Sequence, residues 1–182
     1  MKNIVSGLER SGTSLLMQIL QAGGVPVAYD KSREPDVSNP KGYFELEGGK
    51  IINKLMNKTF NFSEYEGKYI KVTAFGLKYL MDYECSIIFS TRNMNEILDS
   101  MHKMSKKKFN KEETKELMNK LLENVMRLIK NNEKWNTLIV NYNNFIDNPK
   151  EELLKIKEFI GDFNVEEAMK VIDSSLYRNR RR

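Results

Sequence analysis

The sequence predicts an α/β domain with a mostly parallel central sheet flanked by helices. Three observations predict it. Short apolar stretches of strand length alternate with amphipathic stretches of helix length. Two of the apolar stretches, Ile87-Ile88-Phe89 and Thr137-Leu138-Ile139-Val140, are continuous, as expected of strands covered on both faces. The first strand, over residues 4–6, enters a loop bounded by Gly7 and Gly12 and then a helix, the order that opens many phosphate-binding sheets.

The other elements follow in order. Thr13–Ala22 reads as a helix with Leu15, Leu16, Ile19 and Leu20 on one face, ended by Gly23-Gly24. Residues 25–28 make a second short strand. Residues 30–45 are loop, dominated by Asp, Ser, Pro, Asn and Gly. A helix is expected over residues 47–56, irregular chain over 57–67, a strand over 69–73 and a short helix after it. The strand over residues 86–90 leads to a helix over 95–104. Lys111–Asn131 is a longer amphipathic helix, with Leu117, Leu121, Val125 and Leu128 as its core stripe. The last buried strand, over 137–140, is followed by helices over Pro149–Ile160, with proline in its first turn, and over residues 165–172. Trp135 is read as packing. No repeat or linker divides the chain, so its 182 residues form one domain.

Composition narrows the class. Hydrophobic residues make up 40% of the chain, which is globular. No apolar run is long enough to span a bilayer. The N-terminus has no apolar core and no small-residue cleavage site, so no signal peptide is expected. The single cysteine, Cys85, excludes an internal disulfide and a cysteine-rich zinc site, and it is read as a buried structural thiol. A reducing cytoplasm is the expected compartment. The net charge of +5 is modest, and no nucleic-acid-binding pattern accompanies it. A small, highly anionic ligand accounts for it equally well. Lys106-Lys107-Lys108 is read as a solvated loop. The sequence assigns no oligomeric state.

The loop Gly7-Leu8-Glu9-Arg10-Ser11-Gly12-Thr13-Ser14 carries the chemistry. Backbone amides and the positive end of a helix attract an anion there, and Ser11, Thr13 and Ser14 add hydroxyls. The glycine spacing is that of a Walker A loop, but Thr13 stands where lysine belongs, and a cation appears at Arg10 instead. Magnesium-dependent nucleotide chemistry also needs an acid at a strand end. The two continuous strands lead instead into Thr91-Arg92 and Asn141-Tyr142. Both departures argue against a magnesium-ATP site.

These residues resemble the sulfotransferases that use 3′-phosphoadenosine 5′-phosphosulfate (PAPS). Residues 7–16 are similar to that family's 5′-phosphosulfate loop. Ile87-Ile88-Phe89-Ser90-Thr91-Arg92-Asn93 followed by Ser100 is similar to its 3′-phosphate motif. Residues 140–145, with Asn148-Pro149 and Phe159-Ile160-Gly161, echo its Tyr-Glu-Asp-Leu stretch and following helix. Residues 33–45 and 174–178 look like a bacterial sulfotransferase-like branch. The resemblance spans nearly the whole chain. It implies a three-layer, P-loop NTPase-like fold, PAPS as donor, no metal, and a small-molecule or glycan acceptor with a hydroxyl or amine.

Carried over by position, the resemblance implies that Arg10, Ser11, Gly12, Thr13 and Ser14 hold the 5′-phosphosulfate, and that Arg10 also acts in catalysis by neutralising the charge that builds on the leaving phosphate oxygen. Arg92 and Ser100 would hold the 3′-phosphate. Arg178 either lies in a solvated tail over residues 178–182 or folds back onto the same phosphate, because the family's late Arg-Lys-Gly motif is absent. Lys71 matches the family's sulfuryl-contacting lysine. Thr73 stands where cytosolic members carry the basic histidine, and the single His102 is read as a surface residue. The base is then a carboxylate: Glu45 first, Glu34 second, with Asp36 and Asp30 behind. A helix-cap role competes for Glu45. Two rivals remain open, a kinase with an atypical loop and a nucleotide-binding homologue without turnover.

Overall fold

The computed structural model describes residues 1–105, 110–177 and 179. Five strands, all parallel, form one sheet in the order β2-β3-β1-β4-β5. They are β1 (Lys2–Gly7), β2 (Val27–Ala28), β3 (Tyr69–Lys71), β4 (Cys85–Thr91) and β5 (Trp135–Asn141). The helices are α1 (Thr13–Ala22), α2 (Ile51–Met56), α3 (Met94–Met104), α4 (Lys111–Asn131), α5 (Tyr142–Asp147), α6 (Pro149–Ile160) and α7 (Val165–Lys170).

Strand alternation sorts the core into two layers. On one face Ile4, Ile70, Ile87 and Phe89 pack against α2, α3 and α4. On the other, Val5, Tyr69, Ile88 and Val140 pack against α1, α6 and α7. The result is the expected three-layer sandwich. Strands β2 and β3 lie on one side of β1, and β4 and β5 on the other. The chain therefore reverses its direction across the sheet about β1, which opens a crevice at the carboxyl ends.

Local chemistry sets the element ends. Beyond α1, the Val25 amide bonds the Leu20 carbonyl at 2.9 Å, and Gly24 takes the left-handed conformation with φ 88°. Asn93, Asn110, Asn141 and Asn164 cap α3, α4, α5 and α7 with their side-chain oxygens.

Four expectations are corrected. The helix expected over residues 47–56 is broken. A single 3₁₀ turn, Glu47–Gly49, precedes α2, because Gly48 and Gly49 adopt φ 61° and 85°. Strand β3 ends at Lys71 and a 3₁₀ segment, Ala74–Tyr79, follows. Strand β5 is an edge strand rather than a buried one, and Ile139 on it stays 42% exposed. In α4 the inward stripe runs through Met118, Leu121, Leu122 and Val125, which leaves Leu117 61% exposed near the helix start. Among the described residues no helix is long and apolar enough to cross a membrane.

Candidate active site

Strand β1 delivers the chain into the phosphate-type loop. Arg10 turns it through the left-handed region at φ 66°, and Gly12 repeats that turn at φ 98°. Helix α1 then starts with the Leu16 amide on the Gly12 carbonyl. No side chain caps α1. Its first-turn amides and positive end therefore stand at a cleft that Gly12, Thr13, Ser14 and Leu15 line. Gly12 has a second constraint: a Cβ there would lie 2.1 Å from Cδ2 of Tyr142.

Ser11 is not part of that lining, contrary to the expectation. Its amide is spent on the Leu8 carbonyl at 3.1 Å, and its carbonyl accepts from Ser90 Oγ at 2.7 Å. The side chain is fully buried against Gly7. The tight turn at Arg10 directs residue 11 under the loop instead of into the cleft.

The structure brings Lys71 and Glu45 together with the loop. Lys71 Nζ lies 3.0 Å from Glu45 Oε1 and donates to Ser14 Oγ at 3.2 Å. It also donates to the Tyr43 carbonyl, which accepts a bond of 3.1 Å from Ser14 Oγ. Burial pulls the Lys71 ammonium below its ordinary pKa, against the opposing pull of Glu45. Glu45 holds Arg33 with its other oxygen at 3.1 Å. The Arg33 guanidinium lies 3.4 Å over the Tyr43 ring, and the Tyr43 phenol donates to Asp36 Oδ2 at 2.8 Å. Residues 33–45 thus lie against the loop through backbone and charge.

The capping role weighed for Glu45 falls to Asp30, whose carboxylate accepts from the Glu47 and Ser32 amides at 2.6 and 2.7 Å. Glu34 is exposed and lines no part of the cleft, so the second choice for a base is not brought to the site. The cleft wall skips from Arg33 to Val37, so Glu34 falls outside it while residues 37–41, Tyr43 and Glu45 line it. Thr73 lines the cleft just beyond Lys71, and His102 sits exposed in the last turn of α3.

Arg92 and Ser100 come from the end of β4 and from α3. Arg10 Nε donates to Ser100 Oγ at 2.9 Å, and its Nη2 donates to the Ser38 carbonyl at 3.1 Å. The loop cation and the second motif therefore meet. Arg92 Nη1 donates to the Arg10 carbonyl at 3.1 Å, and its Nε donates to Glu96 Oε2 at 3.1 Å. Its guanidinium lies over Tyr142 at 4.3 Å. Burial lowers the Arg10 pKa, and the guanidinium group keeps its charge. Tyr142, Glu96, Tyr177 and Tyr43 escaped the sequence reading. Tyr43, Tyr142 and Tyr177 lay in stretches that carried the resemblance but no role, and Glu96 carried its spacing of four from Arg92 on a helix. Arg178 and Lys106-Lys107-Lys108 lie outside the described residues.

The cleft has a volume of about 640 Å³, within the range of small-ligand sites. It opens at the carboxyl edge of a parallel sheet, over an uncapped helix start. Fold and cleft together define an α/β protein of the P-loop NTPase-like class. The chain belongs to the sulfotransferase domain family, whose model matches residues 2–182. No curated protein matches the sequence significantly. Among solved structures it is similar to the sulfotransferase domain of the olefin synthase from Synechococcus PCC 7002. That match has TM-score 0.53 and 14% identity, over 97% of this chain and 78% of that one. It is also similar to the sulfotransferase domain from the curacin biosynthetic pathway, with TM-score 0.55 and 12% identity, over 95% of this chain and 78% of that one. At such identities the likeness shows the fold.

Proposed function

We propose that this chain transfers a sulfuryl group from PAPS to a hydroxyl or amine on a small-molecule or glycan acceptor. One observation carries the reading. A single cleft is lined by the uncapped loop with Lys71 and Glu45, and also by Arg92 with Ser100. Two anion sites in one cleft suit a nucleotide phosphorylated at both its 5′ and 3′ positions.

The donor set fits that substrate. The α1 amides with the Thr13 and Ser14 hydroxyls hold the 5′-phosphosulfate. Arg92 and Ser100 hold the 3′-phosphate, with Arg10 spanning the two sites through Ser100. Lys71, a buried cation beside Ser14, stabilises the negative charge that builds on the departing phosphate oxygen. Glu45 takes the acceptor proton. The acceptor oxygen or nitrogen forms the new bond to sulfur while the bond from sulfur to the 5′-phosphate oxygen breaks. Its electron pair leaves with adenosine 3′,5′-bisphosphate. Residues 33–45 form the wall from which Glu45 acts, and their contacts to Lys71 and Ser14 yield as the phosphosulfate takes up those donors.

The test is turnover. Purified protein is incubated with PAPS and a panel of alcohols, phenols, amines and sugars, and released adenosine 3′,5′-bisphosphate is measured by chromatography. Acceptor-dependent release that is lost in Glu45→Gln supports the reading. Magnesium-dependent consumption of ATP without bisphosphate release would replace it with a kinase.

A further inference from the structure

We infer that Glu96, Tyr177 and Asn143 form a buried support that aims Arg92, and that this support gives the cleft its selectivity for a 3′-phosphorylated nucleotide. The inference rests on the reading of Arg92 and Ser100 as the 3′-phosphate site.

Glu96 is 1% exposed, on the first turn of α3. A buried carboxylate is costly unless it is paired and hydrogen-bonded. Here it is both. Arg92 Nε donates to it at 3.1 Å, Asn143 Nδ2 at 3.2 Å, and the Tyr177 hydroxyl lies 2.7 Å from each of its oxygens. Glu96, Asn143 and Tyr177 do not line the cleft, whereas Arg92 does. Among the described residues, the three reach the cleft through Arg92.

A free arginine side chain has many rotamers and loses that freedom when it binds. Four contacts remove that freedom here. Nε is fixed on Glu96, Nη1 on the Arg10 carbonyl, and the guanidinium is flanked by Tyr142 at 4.3 Å and Tyr177 at 5.3 Å. Nη2 has no hydrogen bond among the described residues, and it is the donor left for a phosphate oxygen. Tyr177 reaches Glu96 across 81 positions of sequence, so the C-terminal segment closes the support. Burial, reinforced by Glu96, keeps its phenol neutral, as a donor must be.

Glu96 could affect a phosphate in two opposed ways. By neutralising Arg92 it would weaken anion binding, and its removal would tighten it. By aiming Arg92 it strengthens binding of one phosphate only. Adenosine 3′,5′-bisphosphate and AMP differ in that phosphate, so their ratio of dissociation constants separates the cases. A general structural defect lowers both affinities alike.

The experiment is calorimetric titration of both nucleotides into the wild type, Tyr177→Phe and Glu96→Gln. The wild type is expected to prefer the bisphosphate. Tyr177→Phe should cut that preference about fivefold and Glu96→Gln about tenfold or more, with AMP affinity changing less than about twofold. An unchanged preference in Tyr177→Phe, a raised one in Glu96→Gln, or an equal loss for both nucleotides overturns the positioning role. Should Glu96→Gln fail to fold by circular dichroism, Tyr177→Phe decides alone. A wild type with no preference overturns the 3′-phosphate reading, and this role with it.

Discussion

Gly12→Ala is the sharpest structural probe of the loop. Gly12 sits at φ 98°, ψ 14°, a conformation that costs an L-residue about 1–2 kcal/mol. The added Cβ would also stand 2.1 Å from Tyr142 Cδ2, where ordinary contact begins at 3.4 Å, so the ring must retreat by about 1.3 Å. Overpacking of that kind costs a further 1–3 kcal/mol or so. The ring cannot move alone, because the Arg92 guanidinium rests on it at 4.3 Å. The total is about 2–5 kcal/mol. Gly24→Ala supplies the control: φ is 88°, but nothing lies within 4 Å of its added Cβ, so only the conformational cost applies. Urea unfolding at constant pH measures both. Gly12→Ala should lose at least about 1 kcal/mol more than Gly24→Ala, and it should also bind the bisphosphate more weakly. Equal losses for the two variants would refute the claim that Tyr142 is packed on the loop.

Two further outcomes follow from the same geometry. Lys71→Met keeps the length of the side chain and removes the cation beside Ser14, so turnover should fall about 10²–10³-fold in a bisphosphate-release assay, with the fold retained. A loss below about threefold would remove Lys71 from the chemistry. Burial pushes the Cys85 thiol up to about 11. The folded protein should therefore resist alkylation at pH 8 and react once unfolded, where the thiol titrates near 8.5 or so. The unfolded chain ionises first, so Cys85 takes stability away as pH rises from about 8.5 toward 11, and denaturant midpoints should decline across that window.

The legible part of the fold was the part whose signals are local. Helices α1, α4 and α6 begin where Gly12, Asn110 and Pro149 interrupt or cap the chain, and their ends match the periodicity. Helix α5 was not legible. Asn141 both ends β5 and caps α5, and the helix is only six residues long, too short for a periodic stripe. The edge position of β5 was also hidden, since an apolar run does not reveal how many strands pair with it. In the site, the loop, Arg92, Ser100 and Lys71 were visible as motifs. The long-range partners were not. Tyr142 packs on Gly12 and Tyr177 meets Glu96 through tertiary approach, which no spacing announces. Ser11 misled for the same reason. Its hydroxyl lies in the motif, but the left-handed turn at Arg10 buries it.

The central claim is that the cleft takes a nucleotide with a 3′-phosphate. The direct measurement is the thermal shift with adenosine 3′,5′-bisphosphate against ADP and AMP, for the wild type and Arg92→Ala. A ligand at about 100 times its dissociation constant adds roughly 2.7 kcal/mol to stability. In a domain of this size that is a rise of about 5–10 °C. The account predicts that rise for the bisphosphate, a clearly smaller one for ADP and AMP at the same concentration, and loss of the difference in Arg92→Ala. Equal shifts for all three nucleotides, or a preference that survives Arg92→Ala, would contradict it.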